Sequence, residues 1–195
     1  MFARLPSFVL GFHGCDRAVG ENILAGKAEL KPSTNPYDWL GGGCYFWEND
    51  PQRAFDYAKL LAKGKRRSSS QVQDPFVIGA VLDLGQCLNL LDHGALGLLR
   101  EQHAILAEAV AAAGATMPVN NQELTHRPLD CAVIESLHTR HREEGKPAYD
   151  SVRGVFFEGP ELYVNAGFRT KNHIQICVRN PHGILGFFRY PKLSA

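Results

Sequence analysis

The chain has almost no net charge and lacks long apolar runs and the familiar nucleotide cradles, and each shortage narrows what it can do. Its 21 Lys and Arg offset 20 Asp and Glu, leaving +1, so no global field selects nucleic acid or an anionic membrane. No apolar run is long enough to cross a bilayer. Neither a Gly-x-Gly-x-x-Gly register nor a Gly-Lys-Ser/Thr phosphate loop occurs, which removes the commonest dinucleotide and phosphate fingerprints. Paired Cys motifs and His-Glu-x-x-His are also missing, so no metal is expected. The five cysteines, Cys15, Cys44, Cys87, Cys131 and Cys177, are scattered, odd in number and set mostly in apolar runs. That usage is unlike a disulfide framework and fits free thiols in a reducing cytosol. The first residues carry one Arg and a short apolar run but no small-residue cleavage site, so no signal peptide and a cytoplasmic location are expected.

What is present suffices for one core. A chain of 195 residues, 45% of them hydrophobic, is read as a single domain over residues 1–195. Strands are expected over Ser7 to His13, Gly43 to Trp47 and Phe76 to Leu84. Helices are expected over Arg17 to Leu24 and from Pro51 to about Lys63, the second with Asp50 as N-cap and Pro51 in its first turn. The longest helical pattern runs from Leu96 to about Ala113 and ends at Gly114, and another spans Leu129 to about Glu143. Three more strands follow: Ser151 to Phe157, Ile174 to Val178 and Ile184 to Tyr190. Strands first, helices in the middle and strands last predict an α+β fold with a mainly antiparallel sheet.

Two short segments carry most of the functional signal. Gly11-Phe12-His13-Gly14-Cys15 delivers a lone His and a Gly at the end of an apolar strand. Gly41-Gly42-Gly43-Cys44-Tyr45-Phe46-Trp47 is a glycine-rich turn opening an aromatic strand. Together they can offer one planar ligand an imidazole, a bare backbone amide and a flat ring. In this order, with Ala54 and Tyr57 in the helix that follows, the segments resemble the ADP-ribosyltransferase superfamily, the group of diphtheria-type toxins and poly(ADP-ribose) polymerases. The resemblance implies an NAD cleft between two small antiparallel sheets, with NAD as a substrate and no metal. It implies that His13 holds a ribose, that the Gly14 backbone grips the nicotinamide carboxamide, and that Tyr45 stacks on the nicotinamide ring with Tyr57 nearby. The family's third motif residue is a Glu opening a late strand. Here the strand His173-Ile174-Gln175-Ile176-Cys177-Val178 places Gln175 at that position.

Gln keeps the hydrogen bond of a Glu but offers a developing oxocarbenium ion no charge and cannot act as a base. Glu158, in the loop before that strand, is the candidate substitute. The implied activity is transfer of ADP-ribose from NAD to a macromolecular acceptor, protein or nucleic acid, with release of nicotinamide. NAD glycohydrolysis and non-catalytic binding of NAD or ADP-ribose are the alternatives. Weaker constellations read structurally. His138 and His141 fall on one helical face and could ligate a metal with Cys131, but no paired Cys motif or His-Glu-x-x-His accompanies them. A Cys–His nucleophile at Cys15 suits strand geometry poorly, and the basic run Lys63 to Arg67 reads as a solvated loop.

Overall fold

The computed structural model describes residues 8–64 and 72–191. Strand β1 (Phe8–Asp16) runs straight into helix α1 (Arg17–Leu24), where the Asp16 side chain caps the helix by accepting from Ala18 N. Strand β2 (Cys44–Glu48) is followed by α2 (Pro51–Ala62), whose N-cap Asp50 accepts from Arg53 N at 2.9 Å. Then come β3 (Pro75–Asp83), β4 (Cys87–Asn89), α3 (His93–Ala112) and α4 (Pro128–Glu143). The chain closes with β5 (Ser151–Phe156), β6 (His173–Val178) and β7 (Ile184–Arg189). The basic run is described only at Lys63 and Gly64; Lys65, Arg66 and Arg67 lie outside the described residues.

The α+β class holds, and the sheet is mainly antiparallel. The strands form one seven-stranded sheet in the order β4-β5-β6-β2-β1-β3-β7, with β4 and β5 as its parallel pair. The expectation of two separate small sheets is therefore corrected: a single sheet runs through both halves, because β1 and β2 still pair at Gly11↔Glu48 and Phe12↔Trp47. Past those residues the two strands part. Strand β1 stays on β3 along its whole length, from Phe8↔Asp83 to Asp16↔Pro75. Strand β2 stays on β6, from Cys44↔Val178 to Trp47↔Gln175. The sheet is joined at one end of the β1–β2 seam and open at the other.

Alternation assigns the faces. On one face, Phe12, Trp47 and Val77 pack with Ala54 of α2, while Val152, Phe156 and Cys177 pack with Ile134 and Leu137 of α4. On the other face, Phe46, Ile176, Ala80 and Leu82 form one cluster, and Cys15, Phe76 and Ile78 meet Ile23 of α1. Burying such large aliphatic and aromatic side chains is worth roughly 1.5–3 kcal/mol each. No helix of the described residues is long and apolar enough to cross a membrane.

Candidate functional site

The seam between β1 and β2 brings the first two sequence motifs together. Arg17 N–H donates to Asp74 O on the β3 side, and Asn49 N–H donates to Leu10 O on the β2 side. Hydrogen-bonding direction alternates along an antiparallel strand. Hence Gly11, His13 and Cys15 turn their backbone toward β3, whereas Leu10, Phe12 and Gly14 turn theirs toward β2. The rung after Phe12↔Trp47 would join Gly14 to Tyr45, and the pairing stops before it. In its place the His13 imidazole reaches across, with Nδ1 2.8 Å from Tyr45 O. A carbonyl only accepts, so Nδ1 carries the proton and Nε2 is left as an acceptor. Burial lowers the His13 pKa, with the Tyr45 carbonyl opposing, which keeps the ring neutral near pH 7. The peptide groups of Gly14 thus face the opening that His13 spans.

Gly14 also touches α2 directly. A Cβ at this position would stand 2.0 Å from Ala54 O and 3.3 Å from Ala58 Cβ. The glycine is needed for helix–strand packing as well as for an open backbone. Tyr45 serves its own turn: its hydroxyl donates to Gly41 O at 2.6 Å and accepts from Leu40 N at 2.9 Å. The turn demands glycine at Gly41, whose φ is 78°. The Tyr45 ring packs against the cluster of Leu40, Ile134 and Cys177 and stays only partly buried.

The remaining sequence candidates gather around Trp47, two residues along the same face of β2 and so roughly 7 Å from Tyr45. Tyr57 of α2 lies against Trp47, ring centroids 5.0 Å apart. Gln175 pairs with Trp47 across β2 and β6 and with Gly154 across β5 and β6. It is partly exposed. Glu158 is not a solvated loop acid. It forms a half-hidden ion pair with Arg53 Nη2 at 2.8 Å, with side-chain exposures of 14% and 9%.

Three residues that sequence reasoning passed over complete this cluster: Arg53, Trp47 as a hydrogen-bond donor, and His173. Arg53 lies 5.9 Å from the Trp47 ring. His173 stacks on Phe156 at 5.6 Å and on Trp39 at 6.2 Å, and its Nδ1 is 2.7 Å from Lys171 O. Burial first, and Arg53 after it, lower the His173 pKa against the pull of Lys171 O, Glu158 and Asp50. Trp47 Nε1, Arg53 Nε and Nη1, and His173 Nε2 are all buried without a hydrogen-bond partner. Leaving such atoms unpaired costs about 1–3 kcal/mol each, so their concentration in one place marks a site that a polar ligand would relieve. The signal for Arg53 was a charge beside Ala54 and Tyr57 on an apolar helix face. For His173 it was position: the strand opens at His173, two residues before Gln175 and on the same face.

The weaker constellations are taken up in packing and backbone hydrogen bonds. The objection to Cys15 from strand geometry is corrected, since His13 and Cys15 are two residues apart and share a face of β1. What argues against a nucleophile is that burial raises the Cys15 thiol to about 12, far from a thiolate at neutral pH. His138 and His141 are tied through Nδ1 to Ile134 O and Pro147 O, and the described residues bring no three His, Cys, Asp or Glu together for a metal. A cavity of about 430 Å³ opens beside the glycine turn, lined by Ser33, Thr34, Gly42, Cys131, Glu135 and Arg179. Its charges are spent on each other, for Arg179 grips Glu135 through both oxygens and Glu135 accepts from Gly42 N. Gly42, Gly43 and Cys131 line it, but His13, Gly14, Tyr45, Tyr57, Glu158 and Gln175 do not.

No family model matches the chain, and no solved structure does. It is similar to an uncharacterized protein of Methanocaldococcus jannaschii, 25% identical over 185 residues that cover 87% of this chain and 81% of that protein.

Proposed function

We propose that the chain binds NAD at the open end of the β1–β2 seam and transfers ADP-ribose from it, releasing nicotinamide. The observation that carries this reading is the missing Gly14–Tyr45 rung. A primary carboxamide has one acceptor and one donor on the same edge, the complement of a single peptide unit left out of the strand pairing. Gly14 offers that unit beside the partly exposed Tyr45 ring. Neutral His13, with Nε2 as acceptor, suits a ribose hydroxyl. Gln175, on the face that carries Trp47 and Tyr45, would orient the ribose whose bond to nicotinamide breaks. The acceptor of the ADP-ribosyl group is a protein, a nucleic acid or water. A finer likeness to the ADP-ribosyltransferase fold, with one sheet parting at the open end of the β1–β2 seam, belongs to the same proposal.

Calorimetry with NAD and chromatography of released nicotinamide test it. Micromolar-range binding with nicotinamide release supports the enzyme. Binding without release supports the second reading, a non-catalytic NAD or ADP-ribose module, which the neutral Gln175 favours. Neither binding nor release refutes both. His13→Gln should keep part of the binding, because an amide can still donate to Tyr45 O, whereas His13→Ala should lose about tenfold in affinity, the scale of one hydrogen bond.

A further inference from the structure

We propose that His173 is the general base of the reaction and that the acceptor it serves is an oxygen nucleophile, water or a hydroxyl; this rests on the NAD reading above. Three geometric facts support it. The residue opening β6 is His173, and it shares a face with Gln175 and Trp47. Its Nδ1 is committed to Lys171 O, which leaves the lone pair on Nε2. That atom is buried with no partner, as are Trp47 Nε1–H and two nitrogens of Arg53.

The cluster therefore presents one acceptor, His173 Nε2, and several donors, from Trp47 and Arg53. A hydroxyl or water matches both, donating to the imidazole while accepting from the indole or guanidinium. A lysine or arginine acceptor would meet the Arg53 charge. A carboxylate acceptor would bring no proton for Nε2. The other nearby groups do not fill the role: Gln175 has no basic site, and Glu158 is paired with Arg53. The groups facing His173 are Asp50 and Arg53 from the start of α2 and Glu158 from the β5–β6 loop. Arg127, ahead of α4, lies over both rings on which His173 stacks, Trp39 and Phe156. The Arg53–Glu158 ion pair borders the cluster.

The step balances. The acceptor oxygen bonds to C1′ of the nicotinamide ribose as the C1′–N bond breaks and its electron pair passes to the ring nitrogen, neutralising the pyridinium. The acceptor proton goes to His173 Nε2, and the imidazolium later returns it to solvent.

The test compares full-length wild type with His173→Gln and His173→Phe, the second keeping an aromatic ring on Phe156 and Trp39. NAD affinity is measured by calorimetry and kcat at saturating NAD from pH 5 to 8. Both variants should bind NAD within about threefold of wild type and lose about a hundredfold or more in kcat. The wild-type kcat should fall on acidification, and the residual rate of the variants should lose that acid limb. The products should be free ADP-ribose or an adduct on oxygen. A variant that keeps the wild-type rate, a wild-type kcat flat over this pH range, or an adduct on lysine or arginine nitrogen overturns the role of His173. Wild type that binds NAD without releasing nicotinamide overturns the base and leaves the NAD site standing. Wild type that binds no NAD overturns the underlying reading and the base with it.

Discussion

Strand β1 has two edges with different fates. On the β3 edge every residue from Phe8 to Asp16 keeps register, and the ladder runs on to Arg17 and Asp74. On the β2 edge pairing survives at Gly11 and Phe12 and then stops. One strand thus carries both the most regular and the most interrupted pairing around the site. The regular edge anchors β1 to β3, and α2 packs over it at Gly14, so the other edge can stand open without the strand wandering. His13 then spans the opening with a side chain where the backbone would have bonded. An open rung held in place by its neighbours is preorganised for a ligand, which need not supply the energy to part the strands.

The sharpest way to break this arrangement is to fill Gly14. A methyl there would overlap Ala54 O at 2.0 Å, and backbone yields less readily than a side chain. Gly14→Ala should cost about 3 kcal/mol, lowering Tm by roughly 6–12 °C for a domain of this size. Differential scanning calorimetry measures it. A change under 2 °C would mean that α2 can lift away freely and that β1 is not anchored as described.

The next effect concerns the Arg53–Glu158 ion pair. Glu158→Ala strands the nearly buried Arg53, which already has two unpartnered nitrogens. A loss of about 2–3 kcal/mol in denaturant unfolding is expected. Replacing both partners by Leu should recover much of it, since an apolar pair leaves no stranded charge. A double variant as unstable as the single one would show that the pair acts through something other than mutual compensation.

How far the sequence foretold these features depends on how local their causes are. Helix α1 matches its expected bounds, and α2 starts at Pro51 as expected, because Asp50 and Pro51 are chain-local signals. Helix α3 begins at His93, three residues before the apolar pattern, because Asp92 caps Gly94 N and Ala95 N ahead of it. Strand β4 carries no signal of its own in the sequence: three residues long, Cys87–Asn89 is a strand only because β5 lies parallel beside it. The same limit applies at the site. His13, Gly14 and Tyr45 share a seam that the two motifs foreshadow. Arg53, Trp47 and His173 meet through the fold, and no motif spacing announces three residues from α2, β2 and β6.

A smaller effect separates the Tyr45 ring from its hydroxyl. Tyr45→Phe removes the bridge to Gly41 O and Leu40 N and should cost about 1 kcal/mol. The ring remains, so NAD affinity should stay within about twofold if stacking is its contribution. A large affinity loss with unchanged stability would assign the ligand contact to the hydroxyl.

The gentlest probe is pH, and its direction follows from histidines on both sides of the seam. His13, His138 and His173 all have pKa values lowered from 6.5, burial being the first cause in each. An unfolded chain therefore binds more protons than the folded one as pH falls through 6.5, and stability declines in that direction. The contribution is complete above about pH 6.5 and is progressively lost toward the depressed folded values. Carboxylates held low, such as Glu135 beside Arg179, add their own loss only as pH falls below about 4.5. Urea unfolding at pH 7.5, 6.5 and 5.5 should therefore show little change in the first interval and a clear fall in the second. His13→Gln should flatten part of that fall, because the amide spans the same opening without titrating. Stability that rises from pH 6.5 to 5.5 would mean that these rings are held as cations, and would remove the neutral acceptor that His13 is expected to offer a ribose.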